Sequence, residues 1–135
     1  MTDWRPPHAY VPGQTPRHPE DLFDALKAGV FGTPVDDLSK SEAWKAGLRF
    51  LEEGFFWEAH EVLEAVWMAC PPNSAEKLMA QAVIQTANAH LKQKMGRPQA
   101  AKRLQAEADR LARESVLRGK GEVLGLNLYY LHNNA

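Results

Sequence analysis

The sequence predicts an all-α protein: a single-domain antiparallel bundle of about five helices with an extended, proline-rich N-terminal arm. Two observations support this fold class. Four long segments rich in helix-forming residues are bounded by glycine or proline, and no segment alternates polar and apolar residues as a half-buried strand would. The length of 135 residues fits one compact domain. We expect it to span 1–135, with the arm at 1–18, the bundle at 19–118 and a docked tail at 119–135.

The first part of the chain is the least regular. Five prolines between residues 6 and 19 argue against regular helix, which is why residues 1–18 are expected to be extended. A first short helix is predicted to begin at Pro19, a residue that suits the first turn, and to stop at Gly29. Residues 30–38 are predicted to form a loop.

The later helices have clearer boundaries. Ser39 and Glu42 have the spacing of a capping box, which predicts that the second helix begins there and ends at Gly54. Asn73 and Glu76 form a second capping box. The remaining helices are predicted over three ranges: Phe55 or Phe56 to about Ala69, about 74–95, and Pro98 to about Leu117.

The predicted hairpin around Gly54 resembles a tetratricopeptide hairpin, because small residues, aromatic residues and a closing proline stand at matching spacings. These residues are Gly47, Phe50, Gly54, Phe56, Ala59 and Pro71. One period of about 34 residues further on, Gly47 would correspond to Gln81, so the repeat does not recur. We therefore interpret the segment as one hairpin inside a bundle, not as a peptide-binding array.

Charge and composition narrow the class of protein. The net charge is −1, but residues 92–120 carry nine Lys and Arg against three acidic residues, a pattern typical of a solvated helix face. This segment lacks interleaved aromatics and a recognisable DNA-binding motif, so a nucleic-acid partner is not expected. A single cysteine, Cys70, excludes an internal disulfide and fits a reducing compartment, so we expect a cytoplasmic protein without a membrane span.

The third predicted helix carries the most distinctive chemistry. His60 and Glu64 are four residues apart and share a mostly apolar helix face, so we expect the pair to be partly buried. The fourth helix has a polar stripe at Gln81, Gln85 and Asn88, which we expect to face the pair. His60, Glu64 and Gln85 should then converge on a cavity open to solvent. The candidate catalytic residues are His60 and Glu64, and the candidate binding residues are Glu61, Trp67, Gln81, Gln85 and Asn88.

Three interpretations of these residues stay open. They could form a structural hydrogen-bond network that fixes the register of two helices. They could instead form a ligand pocket or an active site in which His60, oriented by Glu64, acts as a general base. The third interpretation is a metal site. The segment HEVLE, however, lacks the second histidine of the zinc motif, and Trp57 replaces the glutamate of the di-iron motif, so no metal is predicted.

A different class of function would use an apolar surface. If the protein is an interaction or oligomerisation module, Trp44, Trp57, Tyr129 and Tyr130 are expected to form a contiguous exposed patch. The partner would then be another protein or a second copy of the chain, whereas a pocket would bind a small molecule. The sequence leaves the partner and any cofactor open.

Two further residues are assigned by their type and position. Glu58 is expected to be exposed, because glutamate is rarely buried. His18 is expected to be part of the helix start at Pro19, with folding of the arm over the candidate pocket as the alternative.

Two motifs give the chain a family resemblance. Residues 54–67 read GFFWEAHEVLEAVW, and residues 83–90 read VIQTANAH. Over about residues 40–115 the chain resembles a bacterial family known as domain of unknown function 309. The resemblance implies an all-helical bundle and draws attention to the segment around His60. It implies no particular activity.

Overall fold

The computed structural model describes residues 4–135, so the first three residues of the predicted arm lie outside the described chain. It confirms the all-α bundle, and residues 4–135 contain no strand beyond one isolated bridge. The elements in order are α1 (Asp24–Ala28), a 3₁₀ helix (Val35–Lys40), α2 (Glu42–Glu53), α3 (Phe56–Ala69), α4 (Ala75–Lys94), α5 (Pro98–Gly119) and α6 (Leu128–Asn133).

Each long helix packs against its neighbour in the chain: α2 against α3, α3 against α4, and α4 against α5. Short connections make these neighbours antiparallel. Four of the five largest fully buried side chains come from α2, α3 and α4, namely Trp44, Phe50, Leu63 and Met79, and the fifth is Leu38 of the 3₁₀ helix. The core therefore lies between these three helices. No helix in the described part of the chain is long and apolar enough to cross a membrane.

The α2–α3 hairpin turns at Gly54, as predicted. Gly54 has a φ of 90°, in the left-handed region that favours glycine, and it ends α2. Gly47 allows the two helices to approach closely, because a Cβ atom there would lie 2.3 Å from a Leu63 methyl carbon. The tetratricopeptide-like geometry of this hairpin stays a prediction.

Both predicted helix caps were wrong by one or two residues. Ser41, and not Ser39, caps α2 by accepting a hydrogen bond from the backbone N–H of Trp44 at 3.2 Å. Ser74, and not Asn73, caps α4 by accepting from the N–H of Lys77 at 3.0 Å. In each case a second serine or asparagine nearby has the favoured residue type, and the backbone conformation selects between them.

The first helix was also predicted too long. Residues 20–23 form turns, with hydrogen bonds from Leu22 N–H to Pro19 and from Asp24 N–H to Asp21, so α1 begins only at Asp24. The predicted loop at 30–38 was wrong for its last four residues, because the 3₁₀ helix begins at Val35. At the other end of the chain, the tail forms the short helix α6.

The arm lies along the bundle. Residues 4–18 form neither helix nor strand, which agrees with the predicted extended arm. Arg5 forms an ion pair with Glu53 at the end of α2, and the Gln14 amide donates to the carbonyl oxygen of Lys94 at 2.8 Å. The arm thus spans from the α2–α3 turn to the end of α4.

Candidate functional site

Two contacts fix the register of α3 and α4, that is, which residues of the two helices lie at the same level along their axes. Near the start of α3, the Phe56 ring stacks on His90 with ring centroids 4.7 Å apart. Near its end, the Lys77 ammonium nitrogen lies 4.0 Å from the centroid of the Trp67 ring. Since both helices rise by the same distance per residue, the residues between these contacts are brought to matching heights.

The predicted site residues lie between those two contacts. His60 comes to the height of Gln85, and Glu64 to the height of Gln81. All of these are half-buried except Glu64, whose side chain is 52% exposed. Glu64 was expected to be partly buried, whereas the structure leaves about half of its side chain open to solvent.

The hydrogen bonds in this region do not join the two helices. The His60 Nε2 atom lies 3.7 Å from a Glu64 carboxylate oxygen, beyond hydrogen-bond distance. The Asn88 amide donates to the Gln85 side-chain oxygen at 3.2 Å. Among residues 4–135, no hydrogen bond links His60 or Glu64 to Gln85, and the convergence of these three side chains on a cavity stays a prediction.

We call Gln81, Gln85 and Asn88 of α4, together with His60 and Trp67 of α3, the polar strip. Its members are all half-buried and partly open to solvent. A sealed hydrogen-bond network would need these groups to be fully buried and paired. The strip is therefore a surface feature.

A cleft at the end of α3 touches the polar strip. It has a volume of about 240 Å³ and we call it the Trp67 cleft. It lies between the end of α3 and the first turns of α4 and is lined by Trp67, Pro72, Asn73, Lys77, Leu78 and Gln81. Three other clefts of residues 4–135, of about 730, 770 and 370 Å³, are lined by none of the seven candidate residues.

Glu61 lies on a different side of α3. Its carboxylate accepts a hydrogen bond from Lys27 of α1 at 3.1 Å. Glu61 is half-buried, and within residues 4–135 no hydrogen bond joins its side chain to the polar strip. Its position next to α1 separates it from the other candidate binding residues.

Two buried titratable side chains lie where the arm meets α3, and sequence reasoning missed them. Glu58 was expected to be exposed but is fully buried, and His18 was expected at a helix start but lies buried against it. One Glu58 carboxylate oxygen lies 2.6 Å from His18 Nε2 and accepts from the Tyr10 N–H at 2.6 Å. The other Glu58 oxygen and His18 Nδ1 have no partner. Both side chains are closed to solvent. Because His18 and Tyr10 belong to the arm and Glu58 to α3, these contacts attach the arm to α3.

The aromatic patch expected of an interaction module is not assembled. Trp44 is buried and donates through its indole nitrogen to the carbonyl oxygen of Leu124 at 3.0 Å. Trp57 packs edge-on against Tyr10 of the arm. Tyr130 donates to Glu52 at 2.9 Å, and burial together with that hydrogen bond raises the pKa of its hydroxyl above the usual range. Only Tyr129 of the four is exposed.

The charges of α5 are largely paired within the helix. Arg110 pairs with Glu107 at 2.8 Å and Arg113 with Asp109 at 2.9 Å. Such i to i+3 and i to i+4 pairs are typical of a solvated helix face. Elsewhere in the described chain, no group of three or more His, Cys, Asp or Glu side chains is arranged to hold a metal ion.

Comparison with known proteins returned one family. No curated protein and no solved structure matches the chain. Residues 44–104, from α2 through α3 and α4 to the first turns of α5, match the model of a family described as Domain of unknown function (DUF309). That segment contains the whole polar strip. The chain thus resembles the DUF309 family over the helices that form its candidate site.

Proposed function

We propose that the protein binds an extended segment of a partner protein along the polar strip. One observation carries this proposal. Between residues 79 and 91, α4 is buried except at His90 and at the three carboxamides of the strip. Helices as apolar as this are normally covered on all sides. A single open row made of amides is the pattern expected of a surface that is covered when a partner binds.

The chemistry of the row suits a polypeptide backbone. Each carboxamide offers both a donor and an acceptor, the same pair that a peptide group presents. Gln81 and Gln85 are separated by about 6 Å along α4. Every second residue of an extended chain recurs after about 6.6 Å, so successive outward peptide groups of a bound segment would meet successive amides. Peptide recognition of this kind takes its affinity from main-chain hydrogen bonds.

The dimensions favour a binding surface over an enclosed active site. Sites for small molecules usually have volumes of about 300–1,000 Å³. The Trp67 cleft, at 240 Å³, is smaller and excludes His60 and Gln85. A histidine activated by a carboxylate would lie within about 3.2 Å of it. His60 and Glu64 are 3.7 Å apart and open to water, which supports roles in contacting a partner.

Selection from a displayed library of random peptides tests the proposal. We expect peptides to be enriched on the wild-type protein and to lose at least about tenfold in affinity for the triple variant Gln81→Ala, Gln85→Ala and Asn88→Ala. That loss corresponds to about two hydrogen bonds of ordinary net strength. Titration of a selected peptide, followed by calorimetry, measures it.

A matched control uses amides outside the strip. Gln93 and Gln99 are exposed at the turn between α4 and α5, so the double variant Gln93→Ala and Gln99→Ala should bind the selected peptides as the wild type does. The proposal is wrong if no peptide is enriched, or if the strip and control variants bind equally.

A further inference from the structure

The Trp67 cleft contains a cation without a carboxylate partner. The Lys77 ammonium lies 4.0 Å from the Trp67 ring centroid, the arrangement of a cation–π contact. Among residues 4–135, no acidic oxygen lies within ion-pair distance of it. By contrast, Lys27 is paired with Glu61 on the other side of α3. Lys77 is thus held over an aromatic ring, and no carboxylate of the described residues pairs with it.

A side chain that lines the same cleft also has an unpaired donor. The indole N–H of Trp67 is buried and has no hydrogen-bond partner in the described structure. Buried donors are normally paired, because losing water without gaining an acceptor is unfavourable. An acceptor that entered the cleft beside the indole would give this N–H a hydrogen-bond partner. This observation is independent of the charge on Lys77.

The surrounding groups favour a negative charge. The cleft lies at the start of α4, a helix of 20 residues whose N-terminal end carries a partial positive charge. Gln81 and Asn73 line it with carboxamides that can donate. Glu76, in the first turn of α4, is the nearest acidic residue in sequence, but it does not line the cleft.

From these observations we infer that the Trp67 cleft binds a carboxylate side chain, the aspartate or glutamate of a segment lying on the polar strip. The inference rests on the proposed function, since Gln81 belongs to both the strip and the cleft. A carboxylate accepts several hydrogen bonds and would take one from Lys77 and one from the indole. The small volume suits one side chain and not a larger anionic ligand.

Nuclear magnetic resonance with a minimal probe tests the carboxylate site directly. The probe is N-acetyl-glutamate N-methylamide, and the matched uncharged compound is N-acetyl-glutamine N-methylamide at equal ionic strength. We expect the glutamate compound to shift the Trp67 indole N–H resonance in a saturable way, and the glutamine compound to leave it nearly unchanged. The variant Trp67→Phe assigns the resonance among the four tryptophans.

Lysine variants identify the cation. Lys77→Met keeps the aliphatic stem and removes the charge, so it should weaken binding of the glutamate compound about tenfold or more, the loss of a charge-assisted hydrogen bond. Lys45→Met, on an exposed position of α2, should leave it unchanged. Equal shifts with both compounds, or binding that Lys77→Met does not weaken, would overturn the inference.

The two proposals fail in different ways. If selected peptides require the strip amides but the glutamate compound produces no shift, the carboxylate site is wrong and the proposed function stands. If the glutamate compound binds through Lys77 and no peptide requires the amides, the proposed function is wrong and the cleft remains a carboxylate site.

Discussion

The thiol of Cys70 is buried at the end of α3, 3% exposed, and donates to the carbonyl oxygen of Val66 at 3.2 Å. Burial raises the pKa of this thiol from 9.0 to about 11, and the nearby charge of Glu76 acts in the same direction. The folded state therefore disfavours the thiolate. The contribution of the neutral Cys70 thiol to the free energy of unfolding is therefore fully present below pH 9 and is lost as the pH rises towards 11.

Comparison of the wild type with Cys70→Ala at two pH values tests this. Between pH 8.5 and 10.5 the free energy of unfolding of the wild type should fall by about 2 kcal/mol more than that of the variant. Urea denaturation measures both. Other groups titrate in the same range, but they contribute equally to the two proteins. Equal losses would show that the Cys70 thiol has an ordinary pKa.

The three carboxamides of α4 show which properties of single residues can be predicted from the sequence. The spacing of Gln81, Gln85 and Asn88 predicted one polar stripe on α4, because helical periodicity depends only on sequence separation. Their exposure was not predictable. It depends on which sides of α4 are covered by α3 and α5, which sequence spacing alone does not specify.

At the scale of elements, the crossing of α2 and α3 depends on one glycine. A Cβ atom on Gly47 would lie 2.3 and 2.4 Å from Leu63 Cδ2 and Cγ, far inside van der Waals contact. Leu63 is itself fully buried, so it cannot move aside without displacing the core. The distance between the two helices is therefore set by the absence of a side chain at position 47.

Gly47→Ala should consequently destabilise the protein by about 1–3 kcal/mol, the cost of overpacking a core. A loss of stability is informative here, because replacing glycine with alanine inside a helix otherwise raises the free energy of unfolding by about 1 kcal/mol. Gly29→Ala, where the added atom meets nothing closer than 3.6 Å, is the control and should be nearly neutral. If Leu63→Ala reduces the cost of Gly47→Ala in a double-mutant cycle, the clash is the cause.

Element boundaries were predictable where glycine or proline marks them. Gly54 ends α2 and Pro98 begins α5 as predicted, because these residues restrict or permit backbone conformations regardless of tertiary context. The start of α1 was not, because Phe23, the residue just before it, packs against Trp4 and His18 of the arm, which are distant or non-helical in sequence. The choice of Ser41 over Ser39 as a cap also depends on backbone angles that residue type leaves open.

At the scale of the whole molecule, contacts between distant segments close the fold. His18 reaches Glu58 across 40 residues, and Trp44 reaches Leu124 across 80. Residue type alone predicted that Glu58 is exposed, because nothing near it in sequence indicates a partner. Glu58 and His60 are two residues apart on α3 and so point to nearly opposite sides. The arm and the polar strip therefore occupy different faces of the same helix.

Glu58→Gln should lower stability through the face of α3 that contacts the arm and leave peptide binding at the polar strip unchanged. It keeps the shape of the side chain but replaces one carboxyl oxygen with an amide NH₂ group. The free energy of unfolding should fall by about 3 kcal/mol, the cost of breaking a buried pair. Hydrogen exchange at the Tyr10 amide should accelerate, because Glu58 is its acceptor.

The control Glu61→Gln disrupts a half-exposed pair with Lys27 and should cost at most about 1 kcal/mol. Peptides selected on the polar strip should bind the folded Glu58→Gln protein with unchanged affinity. A loss of peptide binding in that variant would show that the arm and the strip form one site.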